Sequence, residues 1–249
     1  MEEINTILGY EDSLKIIQNK DNFRFSLDST FLAFFTEIKK KTDRIIDLGS
    51  GNGAIPLFLS MFTTKPIFGI ELQEEVALMA KRSVELNNLE NQIKIINGDI
   101  KNIKDYFLSD SFGLVLSNPP YFKVNHTSSL NEKEEISLAR HEITVTMEDI
   151  VKASFYLLKE GGTLSMVQST DRFSETIFLL KKYNFYIKRL RFVYPSKGKE
   201  SYIFLFDAGK RVKEQGIKIL EPLYVYNDNN EYTDEVKAYF HYGENNGKK

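Results

Sequence analysis

Arg44-Ile45-Ile46-Asp47-Leu48-Gly49-Ser50-Gly51-Asn52-Gly53-Ala54-Ile55-Pro56 is the stretch that decides the fold. Its apolar start, ended by a glycine cluster, predicts a short buried strand over Arg44–Leu48. The three glycines allow a tight turn and let a ligand approach the backbone with no Cβ in the way. Pro56 then falls near the first turn of a helix, where its missing N–H does no harm. That helix carries Ile55, Leu57, Phe58, Leu59 and Met61. Strand, glycine turn and helix form the opening unit of a parallel sheet that binds ligands beyond its strand ends.

The unit repeats along the chain. Pro66–Ile70 reads as a second strand closed by Glu71, followed by a helix over Glu74–Asn87 with Val76, Met79, Ala80 and Val84 at helical spacing. Ile93–Ile96 and Phe112–Leu116 are the third and fourth strands. Glu148–Leu158 is a helix that Gly161-Gly162 should end, and Thr163–Val167 is the fifth strand. After a helix near Arg172–Tyr183 the period changes. Tyr186–Val193 and Tyr202–Phe206 read as two strands joined by Pro195–Lys199, so an antiparallel pair should finish the sheet. The expected fold is α/β: a doubly wound, mostly parallel seven-stranded sheet of Rossmann-like kind, with an antiparallel C-terminal strand pair. One domain is expected over residues 1–249. Residues 1–42 should form an N-terminal cap with a helix at Ser29–Ile38, and 227–249 a loose polar tail.

Composition excludes several classes. The chain has 249 residues, 42% of them apolar and 27% charged, which is too apolar for a disordered protein. With no Cys there is no disulfide framework, thiolate metal site or Cys nucleophile. The three histidines, His126, His141 and His241, lack ligand spacing, so no metal is expected. The start Met1-Glu2-Glu3 is unlike a signal peptide. The longest apolar stretch, Ala54–Phe62, is about half the ~20 residues of a membrane span. A soluble, cytoplasmic protein is expected. Its net charge of -2 is unevenly spread: Lys181–Lys218 holds eleven basic residues against three acids, which leaves +8. Such a segment can present a positive face to a polyanion.

Acids at successive strand ends sharpen the ligand. Glu71 lies 22 residues after Gly49, where a carboxylate can accept hydrogen bonds from ribose hydroxyls. Asp99 follows the third strand and can accept from an adenine amine. The dinucleotide fingerprint wants two residues between its second and third glycines, but Gly51 and Gly53 are separated by one. The spacing therefore favours a nucleoside without phosphates, such as S-adenosylmethionine.

Leu114–Ser117 runs straight into Asn118-Pro119-Pro120-Tyr121. Two prolines fix φ and remove two donors, leaving carbonyls and the Asn118 oxygen aimed outward. Such acceptors suit an –NH₂ nucleophile whose lone pair is tied up in a π system: hydrogen bonds from its N–H groups draw the nitrogen toward tetrahedral geometry. Tyr121 can stack on a planar substrate. Residues 122–138 are polar and aperiodic, and read as a loop over the substrate crevice.

Asp47–Gly53, Glu71, Asp99 and Asn118–Tyr121 together resemble the class I S-adenosylmethionine-dependent amino-methyltransferases. More narrowly, the chain resembles bacterial tRNA adenine N6-methyltransferases that act beside the anticodon of a valine tRNA. Phe25-Ser26-Leu27-Asp28-Ser29, Ala139-Arg140-His141-Glu142 and Lys197-Gly198-Lys199-Glu200-Ser201 carry that narrower likeness. The resemblance implies methyl transfer to adenine N6 (position 37 of the tRNA), with Asn118, Pro119, Pro120 and Tyr121 as catalytic residues. It implies cofactor contacts from Asp28, Asp47, Gly49, Gly51, Gly53, Glu71 with Leu72, Asp99 with Ile100, and Asn118. A tRNA would lie on Arg140, His141, Lys188, Arg189, Arg191, Lys197 and Lys199, with no membrane and no obligate protein partner. Guanine-N2 rRNA enzymes and protein glutamine methyltransferases share the tetrapeptide. The glutamine enzymes carry an added N-terminal helical domain for which this chain has no room. The rRNA reading stays open, as does a cofactor-retaining module that only binds RNA.

Overall fold

The computed structural model describes residues 2–19, 25–119, 145–211 and 216–244. The glycine stretch folds as its sequence dictates: β3 (Ile45–Leu48), turn, α2 (Ala54–Ser60). Around it lie β4 (Ile67–Glu71), α3 (Glu74–Leu86), β5 (Ile93–Asn97), β6 (Phe112–Ser117), α4 (Met147–Leu157), β7 (Leu158–Ser169), α5 (Phe173–Lys182), β8 (Phe185–Tyr194) and β9 (Ile203–Lys210). Before them come β1 (Glu2–Thr6), β2 (Lys15–Asn19) and α1 (Leu27–Phe35). After them come β10 (Lys218–Ile219), β11 (Leu223–Tyr224) and α6 (Asp234–Phe240).

The sheet order is β10-β8-β9-β7-β6-β3-β4-β5, with β11 also on β8. Pairs β3/β4, β4/β5, β3/β6 and β6/β7 are parallel, while β9 is antiparallel to both β7 and β8. The expected seven strands are all present. The sheet has nine because β10 and β11, each two residues long, pair parallel with β8. Strands that short carry no periodicity to read. Apolar side chains fill both faces: one layer holds Ile45, Leu57, Phe58, Ala80 and Leu205, the other Ile46, Phe112, Val151, Leu164 and Phe206. Helices on both faces bury these two layers, as a doubly wound sheet requires.

Three expectations need correction. Gly161-Gly162 do not end a helix. They lie inside β7, where the ladder slips between Phe112↔Leu158 and Leu114↔Thr163, and Gly161 takes the slip at φ +68°. The N-terminal cap begins with a β1–β2 hairpin, hidden in sequence by its charges. The hairpin is stitched to α3 by Ile17 N donating to Ser83 Oγ (2.9 Å) and Lys15 N to Asn87 Oδ1 (2.8 Å). The polar tail is ordered through Glu244 rather than loose: Tyr226 bridges Tyr232, Val236 is buried, and Tyr239 stacks on Phe34 at 4.5 Å. Three apolar anchors were enough to dock a segment whose average composition is polar.

Candidate active site

Register sets the site. Leu48, Glu71, Asn97 and Ser117 close adjacent parallel strands, with Asp47 one residue inside the first, so the turns after β3, β4, β5 and β6 open at one end of the sheet. Gly49 N and Ser50 N both donate to Ile70 O, at 2.9 and 3.0 Å, which folds the glycine turn over β4. Gly49 and Gly51 take φ of +75° and +54°, and a Cβ on either would meet nothing within 4 Å. That open space above the backbone is where a ligand can come close. Gly53 (φ +86°) is glycine for a different reason: a Cβ there would sit 3.2 Å from Ala80, so it serves helix packing.

Glu71 is buried and holds the turn from behind. Its two oxygens accept from Gly51 N (3.0 Å) and Gln73 N (2.9 Å). A carboxylate has about four acceptor directions, so two remain for hydroxyl donors. Asn97, which the sequence reading missed, ties the next turn by donating to Glu71 O (3.0 Å) and Leu72 O (2.9 Å). Asp99 accepts from Lys101 N at 2.9 Å and caps the turn starting at Ile100, which is buried. Under the glycine turn lies Asp47, fully buried, with no hydrogen-bond partner for either oxygen among the described residues. Burial, and then the like charge of Glu71, push its carboxyl well above the usual range. A buried carboxyl in this position is kept neutral or is met by a donor or cation.

Asn118 follows β6, and its Nδ2 donates to Ser29 Oγ (2.9 Å) in the first turn of α1. This contact joins the cap to the turn after β6. A cleft of about 150 Å³ lies between them, lined by Phe25, Ser26, Ser29, Gly49, Ser50, Gly51, Asn52, Ala54, Ile55 and Asn118. Gly49, Gly51 and Asn118 thus share one cavity, with Asp28 half-buried beside Ser29. Glu71, Leu72, Asp99 and Ile100 follow along the neighbouring strand ends, outside this cleft. Ser29 and Asn97 were missed because one serine and one asparagine carry no spacing signal. Phe25–Ser29 did flag the segment that holds Ser29.

Pro119 is buried behind Asn118. Pro120, Tyr121, Arg140 and His141 lie outside the described residues, as does the expected loop 122–138. The basic residues divide. Lys197 and Lys199 are exposed on the β8–β9 loop, at the same end of the sheet as the cleft, and Lys188 is half-buried. Arg189 and Arg191 do not join a phosphate-binding face. Arg189 binds Asp207 (3.0 Å), Glu37 and the Phe35 carbonyl, with 13% of its side chain exposed. Arg191 holds Glu235 through two hydrogen bonds of 2.6 and 2.8 Å. Their strand is covered by β10, β11 and α6, so both arginines serve packing. Among the described residues no His/Cys/Asp/Glu group could hold a metal, and no helix is long and apolar enough to cross a membrane.

One consequence concerns Asp47. A carboxyl whose pKa is raised on folding costs stability as pH climbs above its unfolded value near 3.8, and costs nothing below it. Asp47→Asn is therefore expected to melt at or above the parent at pH 7.5, with the difference shrinking toward pH 4. Thermal melts across that range check this; a variant less stable at pH 7.5 would show that the carboxylate has a partner within the chain.

The sheet order, the glycine turn and the ligand cleft at the carboxyl ends define an S-adenosylmethionine-dependent methyltransferase fold. The chain belongs to the methyltransferase small-domain family, whose profile matches residues 23–188. Among curated relatives, a tRNA1(Val) (adenine(37)-N6)-methyltransferase of Flavobacterium psychrophilum is 25% identical over 89% of this chain and 92% of its own. One of the same name from Bacteroides thetaiotaomicron is 31% identical over 59% of this chain and 60% of its own. Among solved structures, a predicted O-methyltransferase from Agrobacterium tumefaciens superposes with a TM-score of 0.67 at 20% identity, covering 86% of this chain and 95% of that one. It supports the fold.

Proposed function

We propose that this protein transfers a methyl group from S-adenosylmethionine to the exocyclic N6 of an adenine in a tRNA anticodon loop, at position 37 of a valine tRNA. The observation that carries this reading is Asn118, an amide tied to α1 at the mouth of the glycine-lined cleft. The relatives named for that reaction support the choice of amine.

The residues present fit the cofactor. The glycine turn leaves room for close backbone approach, Asp47 offers two oxygens beneath it that are unpartnered among the described residues, and Glu71 keeps acceptor capacity. Asp47 would complement the cationic amino-acid end, Glu71 the ribose, and Asp99 with Ile100 the adenine. When bound, S-adenosylmethionine supplies an electrophilic sulfonium methyl. The chain's own part is to prepare the acceptor. With its NH₂ side held by Ser29, Asn118 has its carbonyl oxygen as the acceptor this reading assigns to the incoming amine. That oxygen and the Pro119 carbonyl accept the two N6 hydrogens, and the nitrogen lone pair leaves conjugation with the ring. The nitrogen would become cationic only as its bond to the methyl forms and the methyl–sulfur bond breaks to leave a neutral thioether, so no base is needed beforehand, and its proton departs afterwards to solvent. This reading assigns Tyr121 the role of stacking partner for an adenine splayed from its loop, as single-stranded bases commonly are. A valine tRNA transcript with adenine 37 changed to guanine should take up no label, and a transcript labelled equally with that change would refute the assignment.

Lys197 and Lys199 are exposed cations at the cleft end of the sheet, and in this reading they hold RNA backbone. Lys197→Glu/Lys199→Glu should weaken tRNA binding and flatten its dependence on salt, with cofactor affinity unchanged. A salt titration giving the parent's slope would move the RNA-binding face elsewhere.

A further inference from the structure

A cluster of cations lies at the other end of the sheet, beneath the C-terminus of α1. Lys188 is the extra residue of a β-bulge: Ile187 pairs with Ala208 and Arg189 with Asp207, so Lys188 has no partner in the ladder. A bulge re-aims a side chain, and here Lys188 comes within reach of the charges of Lys39 and Lys41. Lys39 Nζ is fixed on Thr163 Oγ1 at 3.1 Å. Lys41 Nζ lies over Gly161, 3.7 Å from where a Cβ would stand. The carboxylates nearby are Glu37 and Asp207, and both are engaged by the Arg189 guanidinium. Among the described residues none of the three lysines makes an ion pair.

The arrangement costs the free protein something. Lys188 is held down to about 8, first by its own burial and then by the charges of Lys39 and Lys41, with the Asp207 carboxylate opposing them. Strand geometry and packing alone would favour a neutral or paired side chain at this bulge. Three neighbouring lysines, one of them held on the Thr163 hydroxyl, match the charge and donor needs of a phosphate group. Thr163 is six residues along β7 from Ser169 at the cleft end, about 20 Å at ~3.3 Å per residue. The cluster is therefore separate from the methyl-transfer site.

We propose that Lys39, Lys41 and Lys188 form a phosphate-binding site at the end of the sheet opposite the cleft. Its ligand is a phosphate group, either one in the backbone of the RNA or one of a free polyphosphate. The site stands whether or not the methylated group is an adenine.

The experiment uses the full chain, Lys188→Gln, Lys188→Arg and the triple variant Lys39→Gln/Lys41→Gln/Lys188→Gln, probed with inorganic pyrophosphate and with unfractionated tRNA at matched ionic strength. Without anion, Lys188→Gln should melt above the parent, because it removes a half-buried like charge. Pyrophosphate should raise the parent's melting temperature, and Lys188→Arg should keep that response. The triple variant should bind the functional probe at least tenfold more weakly. Loss of both pyrophosphate and tRNA affinity, or of tRNA affinity alone, assigns the site to RNA backbone. Loss of pyrophosphate affinity alone assigns it to a free polyphosphate. S-adenosylmethionine affinity should be equal in all four proteins, which separates this result from any failure of the methyltransferase reading. Unchanged affinity of the folded triple variant for both probes would overturn the proposal, as would Lys188→Gln melting below the parent.

Discussion

Asn118→Ala should lower the rate of methyl transfer by about 10²–10³, the loss seen when one preorganised partner of a developing charge is removed, while cofactor affinity changes by less than about threefold. The reasoning is differential: the Asn118 oxygen meets the amine most strongly as the nitrogen turns cationic, so its deletion is felt in the transition state and little in the ground state. Ser29→Ala is the companion variant. It leaves the oxygen in place but releases the amide from α1, so its rate loss should be intermediate. Single-turnover kinetics alongside calorimetry with S-adenosylmethionine separates the two effects. Equal losses of rate and cofactor affinity in Asn118→Ala would make the residue a structural part of the pocket instead.

The second large effect belongs to Glu71. Truncation to Ala should remove charge-assisted hydrogen bonds to the ribose worth about 1.5–3 kcal/mol, roughly tenfold to a hundredfold in affinity. It also strips the acceptor from Gly51 N and Gln73 N, so the glycine turn loses its backing and the affinity loss should fall at the upper end. Opposing this, removal of the charge relieves Asp47, whose carboxyl Glu71 pushes upward. Global stability should therefore change less than affinity does. Calorimetry with S-adenosylmethionine and, separately, with NAD checks the assignment: tight NAD binding without sulfonium binding would contradict the nucleoside reading.

What the sequence showed and hid follows from the range of the forces involved. The strand–turn–helix units around Asp47 and Glu71 were legible because burial on both faces makes each strand a continuous apolar run, and the glycines after Asp47 mark the left-handed φ of that turn. The β1–β2 hairpin was not, because Ile16 and Ile17 are its buried apolar pair and polar or charged residues surround them. Its edge is satisfied by Ser83 and Asn87, about seventy positions away in sequence. Arg189 and Arg191 misled for the complementary reason. Charge is visible in a sequence, but the partners Glu37, Asp207 and Glu235 come from three other elements. The site's chemistry was readable at Asn118, Glu71 and the glycines, whose residue type and place after a strand carry the meaning. The Asn118–Ser29 contact spans 89 positions and needs the fold to be seen.

The measurement that tests the central claim most directly is transfer of tritium from labelled S-adenosylmethionine, with bulk tRNA, ribosomal RNA, DNA and a release factor offered in parallel, followed by digestion to nucleosides. The account predicts label in tRNA alone, recovered as N6-methyladenosine and abolished in Asn118→Ala. Label recovered as N2-methylguanosine from ribosomal RNA, or in protein, would contradict it.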